Sequence, residues 1–363
     1  MISAADRTRG EALLARLRAA GAEPVQAPIL LEAGPLLDLY GEDIRARAFQ
    51  TQDPALGEMM LRPDFTVPVV RAHMAGGPTP ARYCYLGEVF RRQEENPARA
   101  REYLQVGYEL FDGSDPAAAD AEVFARIAEV LAPWDPVPAT GDLGLLIAAV
   151  EGLATTPRRR AALRRHIWRP FRFRRLTDRF TGRTEPTTAR AALLARLAAE
   201  TPETIAAEAG PAVGLRAPEE VAARLTALAE DAGTPPIPEA EAAALDALLA
   251  WEGTLAGALV PLRDLAVDLP ALGPAIDRLE SRAEALARRG IDADALPFAP
   301  ARGRSAMEYY DGFIFTFADR TRADLPPLAT GGRYDALTAA LGGGAAIPAV
   351  GGVIRPGLLE DRA

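Results

Sequence analysis

Lysine is missing from all 363 residues, histidine occurs twice and cysteine once, so the 41 basic side chains are all arginine. Without lysine there is no Schiff-base chemistry and no phosphate-binding loop of the type whose lysine reaches the terminal phosphates. The lone Cys84 excludes an intrachain disulfide and a cysteine-based zinc site, and His73 and His166 lack metal-ligand spacing. Neither a metal nor a cofactor is expected. No run of roughly 18 uncharged apolar residues occurs, and residues 1–10 hold no apolar signal segment, so the expectation is a cytosolic chain without membrane contact. Fifty carboxylates against 41 arginines give a net charge of −9, which favours solubility and speaks against a general nucleic-acid binder. What remains is ordinary: 49% hydrophobic and 25% charged residues, over a length that suits about two domains.

Three compositional zones follow one another. In residues 1–142, aromatic and β-branched runs lie between turn signals. Asp6 and Thr8 precede a helical pattern at Leu13, Leu14 and Leu17 that stops at Gly21, and residues 25–31 read as a strand or extended segment. Residues from about 143 to 287 are rich in Ala, Leu, Arg and Glu, with helical periodicity at 191–200, 219–230 and 239–251 and breaks at Pro211, Pro218 and Pro235-Pro236-Ile237-Pro238. The last 75 or so residues return to strand and turn language in Gly312-Phe313-Ile314-Phe315-Thr316-Phe317, in Gly331-Gly332-Arg333-Tyr334 and in the glycine run 342–344. These zones predict an α+β core split by a mainly helical insertion, with bounds 1–142, 143–268 and 269–363.

The segment 82–91 alternates, with Tyr83, Tyr85, Gly87, Val89 and Arg91 on one face. After a turn-prone, charged stretch, residues 102–111 carry Tyr103, Gln105, Gly107, Glu109 and Phe111 on one face and Leu104, Val106, Tyr108 and Leu110 on the other. The pair predicts a long-looped hairpin. Gln105 and Glu109 then point the same way, about 13 Å apart at ~3.3 Å per residue, with side-chain-free Gly107 between them. A ligand about 6 Å long, with a hydrogen bond of roughly 3 Å at each end, spans that gap. A solvated face would carry the same residues, because antiparallel sheets often have one wet side. In Leu61-Arg62-Pro63-Asp64-Phe65-Thr66-Val67-Pro68, Asp64 and Thr66 lie at strand spacing on one side and can receive an ammonium group; a capped turn is the competing reading.

Several blocks gain meaning from their order. Pro28-Ile29-Leu30-Leu31-Glu32 comes first, then Leu61-Arg62-Pro63-Asp64-Phe65-Thr66, then Tyr85-Leu86-Gly87-Glu88-Val89-Phe90-Arg91 with Arg101-Glu102-Tyr103-Leu104-Gln105-Val106-Gly107-Tyr108-Glu109. Tyr309-Tyr310 with Gly312-Phe313-Ile314-Phe315, and Gly331-Gly332-Arg333-Tyr334-Asp335-Ala336-Leu337, follow near the end. This ordered set resembles the class II aminoacyl-tRNA synthetase core, and within it the histidyl-tRNA synthetase lineage. The resemblance implies an antiparallel sheet flanked by helices and an amino-acid pocket for L-histidine. In that pocket Asp64, Thr66 and Gln105 would take the ammonium, Arg91 the carboxylate, and Glu109 and Tyr310 the imidazole nitrogens, with Tyr309 and Tyr334 beside them.

The departures from that family concern catalysis. Where the synthetases place an arginine ahead of the paired tyrosines, this chain has Ser305, with Arg304 beside it. The second motif's Phe-Arg-x-Glu becomes Phe90-Arg91-Arg92-Gln93, with Glu94 adjacent. The third motif's closing arginine would align near Leu358, while Arg355 lies a turn earlier and Pro356 breaks the usual helix. A synthetase would continue beyond Ala363 into an anticodon-binding domain, so cognate tRNA recognition is expected to be lost. Removing one donor that stabilises transition-state charge typically costs ~10²- to 10³-fold, and here two such positions are altered.

A retained pocket without catalysis resembles the synthetase-like regulatory subunits of ATP phosphoribosyltransferase. That resemblance implies a non-catalytic chain and a short-form catalytic subunit as its partner in a hetero-octamer. It also implies a role in histidine feedback on the first step of histidine biosynthesis and a homodimer formed through the class II core. A shortened ligase that forms histidyl-adenylate stays open if Arg304 and Arg355 replace the missing arginines. Between 157 and 183, eleven arginines interleave with Trp168, Phe171, Phe173 and Phe180. This stretch reads as a solvated or partner-facing helical surface with core aromatics, against an RNA-binding relic. Cys84 reads as a small strand residue, and Arg333 as a pocket or packing residue.

Overall fold

The computed structural model describes residues 2–40, 44–93, 99–208, 217–304 and 309–360. Among them, the strands in chain order are β1 (Glu23–Pro24), β2 (Leu30–Glu32), β3 (Gln50–Asp53), β4 (Gly57–Leu61), β5 (Ala81–Phe90), β6 (Glu102–Phe111), β7 (Val137–Asp142), β8 (Gly253–Thr254), β9 (Pro297–Phe298), β10 (Phe313–Ala318), β11 (Ala329–Arg333) and β12 (Ala349–Ile354). Nine form one sheet in the order β1-β5-β6-β12-β11-β10-β7-β9-β8, and β2-β4-β3 form a small second sheet. Every pairing from β5 through to β7 is antiparallel, while β1 joins β5 and β9 joins β7 in parallel. This is the α+β architecture expected from the composition.

The β5–β6 hairpin is the longest ladder, and its register follows the alternation in the sequence. Tyr85 faces Gly107, Gly87 faces Gln105 and Tyr83 faces Glu109. Antiparallel β12 then lies against β6 with Gly351 opposite Glu109. Behind the sheet, the helix Pro116–Leu131 starts at Asp115, whose side chain accepts the Ala118 N–H, and has proline in its first turn. Its Phe124 packs on the aromatic strand β10, with ring centroids 5.5 Å from Phe315 and 5.0 Å from Phe317. A buried ion network joins this helix to its neighbours: Arg282 donates to Asp120 (2.7 Å) and Asp142 (2.6 Å), and Arg333 donates to Asp120 at 2.9 Å. Arg333 is thus a packing residue.

Three expectations need correction in detail. The first helix, Ala4–Ala19, begins before Asp6: Ser3 caps it and Asp6 closes a capping box from inside the first turn. Of the two readings for residues 25–31, a single strand does not hold; the chain pairs briefly at β1 and again at β2, and Val25 N–H bonds to the Cys84 carbonyl. Asp64 and Thr66 do not lie on a strand either. Residues 62–65 turn into the helix Thr66–Met74, so Thr66 opens a helix whose preceding residue Phe65 makes no side-chain cap.

Within 143–268, the helices Pro157–Arg165, Pro170–Phe180, Thr188–Leu197, Pro218–Gly233 and Glu239–Ala250 match the predicted helical text, and proline starts three of them. The break at Pro211 lies outside the described residues. The two-residue β8 also belongs to this stretch and completes the edge of the large sheet by pairing with β9. Phe173 and Phe180 are buried as expected, but Phe171 is 75% exposed, because Phe173 and Thr177 take the inward positions of that helix. Cys84 is a fully buried strand residue whose thiol burial pushes up to about 11.

Candidate functional site

Glu109 is the centre of a buried polar cluster. It is 1% exposed, and it accepts from Thr66 Oγ1 (3.2 Å) and Tyr85 Oη (2.9 Å) at one oxygen and from Tyr334 Oη (2.5 Å) at the other. Burial pushes its pKa up to about 7 against the lowering pull of those hydroxyls. Burial, and next the Glu109 charge, in turn hold the Tyr85 and Tyr334 hydroxyls well above the usual tyrosine range. Tyr309 donates to Thr66 Oγ1 at 3.3 Å, and its ring meets Tyr310 edge-on at 4.8 Å. Two glycines make this convergence possible. A Cβ at Gly351 would sit 1.5 Å from Glu109 Oε2, and one at Gly107 would sit 2.0 Å from the Tyr85 ring.

The second contact changes the sequence-based picture of the gap between Gln105 and Glu109. Gly107 does not leave that space empty; it admits the Tyr85 ring, which the hairpin register places directly opposite. A ligand that reaches both Gln105 and Glu109 therefore lies over Tyr85 instead of against the bare strand. Tyr85 was missing from the expected site residues, although its place opposite Gly107 was available from the two alternating faces.

The other end of the site holds polar atoms with nothing to bond. Gln105 is fully buried, and neither its amide oxygen nor its amide nitrogen has a hydrogen-bond partner among the described residues. Asp64, 3% exposed, has an equally unpartnered Oδ2. Burial raises the Asp64 pKa, and the Arg91 charge with the Val67 and Thr66 backbone N–H groups pulls it back. Arg91 itself donates through Nε to the Pro63 carbonyl at 2.8 Å. Buried polar atoms without partners are rare in folded proteins, and a charged or bifunctional polar ligand is one way to satisfy them.

Arg91 also faces a cavity of about 510 Å³ that includes Gln93, Tyr103, Arg355 and Leu358 in its lining. Arg355 is fixed there by bonds to the Pro327 carbonyl (2.7 Å) and Thr330 Oγ1 (3.3 Å). Arg304 is elsewhere: its Nε donates to the Ile167 carbonyl at 2.8 Å and its guanidinium covers the Phe173 ring at 4.7 Å. Burial lowers it to about 10. Ser305 and Glu94 lie outside the described residues. Among the described residues no group of three His, Cys, Asp or Glu side chains is placed to hold a metal, and no helix is long and apolar enough to cross a membrane.

Comparison with known proteins agrees with this fold. The family model for histidyl-tRNA synthetase matches residues 3–236 and 221–356. ATP phosphoribosyltransferase regulatory subunits of Brucella canis and Brucella suis are each 35% identical over 358 residues, covering 94% of this chain and 93% of theirs. A crystal structure described as an ATP phosphoribosyltransferase regulatory subunit/histidyl-tRNA synthetase from Bacillus halodurans has a TM-score of 0.64 at 19% identity, covering 98% of this chain and 78% of that one. Histidyl-tRNA synthetase from Nostoc gives 0.61 at 16% identity, covering 97% and 70%. At those identities the two structures speak for the fold alone. By its sequence relatives and its family match, the chain belongs to the histidyl-tRNA synthetase-like family of ATP phosphoribosyltransferase regulatory subunits.

Proposed function

We propose that this chain senses L-histidine for ATP phosphoribosyltransferase, in the first step of histidine biosynthesis. It binds the amino acid among Asp64, Thr66, Arg91, Gln105, Glu109, Tyr309, Tyr310 and Tyr334, and passes that occupancy to a short-form catalytic subunit that depends on it for activity. The observation that carries this reading is the pair of unsatisfied buried groups, Asp64 Oδ2 and the Gln105 amide, at the other end of the site from the Glu109 hub. An ammonium has three donors and no acceptor, so it suits Asp64 Oδ2 and the Gln105 carbonyl. A carboxylate has about four acceptor positions; Glu109 uses three, and the fourth suits an imidazole N–H. Titration calorimetry with L-histidine tests the reading. Saturable binding that fails for L-alanine supports it, and no binding, with or without the catalytic subunit, removes it.

In this reading the chain performs no catalysis. An adenylate-forming ligase needs Arg304 near the reacting phosphate, and Arg304 is instead engaged with Ile167 and Phe173. Leu358, near which the synthetases' closing arginine would align, contributes an apolar side chain to the cavity wall. Pyrophosphate exchange dependent on histidine and ATP would reverse this conclusion. The assembly we propose is a hetero-octamer built on homodimers of the class II core. Ile29 and Leu30, 44% and 47% exposed where β2 begins, supply apolar surface for the dimer contact. The division at 142 and 268 is proposed with it, the inserted segment lying apart from the amino-acid pocket.

A further inference from the structure

Away from the amino-acid pocket, the helices Pro157–Arg165, Pro170–Phe180, Thr188–Leu197 and Pro218–Gly233 converge on one carboxylate, Asp231. Asp231 accepts from Arg159 Nε at 2.6 Å and from Arg190 at 3.0 Å, and the Arg179 guanidinium stands 4.0 Å away. Arg158 and Arg224 complete the arginine lining of a cavity of about 160 Å³ at this point. Five arginines and one carboxylate thus line one cavity, in a chain whose overall charge is −9.

The five are not equivalent. Arg159 is buried and committed to the fold, since its other N–H groups go to the carbonyls of Pro235, Thr234 and Asp231. Arg190 shares the carboxylate. Arg158 and Arg224 make no ion pair among the described residues and reach the cavity from exposed helix positions. Arg179 lies over the buried Phe180 ring, 4.6 Å from its centre, with Arg159 over the same ring at 4.9 Å, so an aromatic surface sets both guanidinium planes. Burial and the like charges of Arg190 and Arg159 push the Arg179 pKa down, a repulsion that a bound anion would relieve.

Size narrows the ligand. The cavity is smaller than the ~300–1,000 Å³ of ordinary small-molecule pockets, a size that suits a five-atom tetrahedral oxyanion. Arginine forks match phosphate oxygens two at a time, and several uncompensated charges favour a dianion over a single carboxylate. We propose that this cavity is an oxyanion site that takes one phosphoryl group, held by Arg158, Arg179 and Arg224, with Arg190 shared between the ligand and Asp231. The proposal stands apart from the histidine reading.

The test is titration calorimetry of the full chain with inorganic phosphate and, separately, with ribose 5-phosphate, in low-salt chloride buffer. The expected result is saturable binding of one anion per chain. Replacing Arg179 and Arg224 together (Arg179→Gln with Arg224→Gln) weakens it by about tenfold per guanidinium, while Arg355→Gln, in the larger cavity, leaves it unchanged. Tighter binding of the ester identifies a phosphorylated metabolite as the natural source, and equal binding identifies free phosphate. Should the double variant unfold, Arg158→Gln, in the exposed first turn of its helix, carries the same comparison. No saturable binding of either probe overturns the proposal, and so does binding that ignores all three substitutions. Binding of a short RNA duplex without binding of phosphate would also overturn it, since the face would then be a nucleic-acid surface without a phosphoryl pocket.

Discussion

Glu109 holds a carboxyl group in a place that favours its neutral form until a donor arrives. Its pKa near 7 is set first by burial, with three hydroxyls only partly offsetting the cost of the charge. An imidazole N–H donated to the carboxylate favours the ionised form, so histidine bound as proposed would expel a proton from Glu109. Affinity for L-histidine is therefore expected to rise with pH through about 7 and to level off above it, as read by calorimetry between pH 6 and 8. In Glu109→Gln the slope shrinks to that of the ligand's own imidazole, and affinity at pH 8 falls about ten- to a hundredfold with the loss of a charged acceptor. The same shift acts on stability with the opposite sense. The folded chain holds this proton more tightly than the unfolded chain, so Glu109's contribution is complete below about 4.5 and is lost as pH rises towards about 7. Gly351 gives a steric test of the same spot. Gly351→Ala, with its methyl 1.5 Å from Glu109 Oε2, is expected to cost about 1–3 kcal/mol in urea unfolding and to abolish histidine binding. Gly273→Ala, where nothing lies within 4 Å, should leave binding intact.

The elements that carry these residues are pinned by charge as well as by apolar packing. Arg282, 3% exposed on the helix Gly273–Arg288, bridges Asp120 on the helix Pro116–Leu131 to Asp142 at the end of β7, while Arg333 of β11 holds the other oxygen of Asp120. Removing Arg282 leaves Asp142 buried without its partner and Asp120 with half of its neutralisation. Arg282→Ala is expected to cost about 3–5 kcal/mol in urea unfolding, with a similar loss for Arg282→Met, because methionine fills the volume and not the charge. None of this was legible in the sequence: Arg282 and Asp120 are 162 residues apart and Arg333 and Asp120 213 apart, and an arginine in helical text looks the same whether it faces water or a buried aspartate. The β5–β6 hairpin was legible, because period-two alternation assigns faces and faces fix register. Gln105 and Glu109 could be placed on one side for that reason. What filled the space between them could not be read from one strand alone, since it depends on Tyr85 of the opposite strand entering over Gly107. Asp64 and Thr66 were misplaced on a strand because two polar residues at spacing two suit a strand and a turn into a helix equally well; Thr66 is helical here and still reaches Glu109.

At the scale of the whole molecule, sensing requires that the site report to a partner, and thermodynamics constrains how. On the proposed function, histidine would shift the catalytic subunit only to the extent that it binds two states of the complex with different affinities, and couplings of this kind typically amount to ~5- to 150-fold. The coupling is reciprocal: a ligand of the catalytic subunit that favours the active state must weaken histidine binding on this chain by the same factor. Glu109 is internal to the chain, 1% exposed, so its removal leaves the assembly surface unaltered. In the complex, Glu109→Ala is therefore expected to keep stoichiometry and partner activity while losing histidine inhibition, and calorimetry on that complex should show no reciprocal effect of the partner's ligands on histidine. Sedimentation and activity measured with and without histidine separate the outcomes. Lost inhibition with intact activity places Glu109 in the sensor. Lost activity with intact assembly would make the pocket part of the activating contact, and the feedback signal would then have to enter at another site.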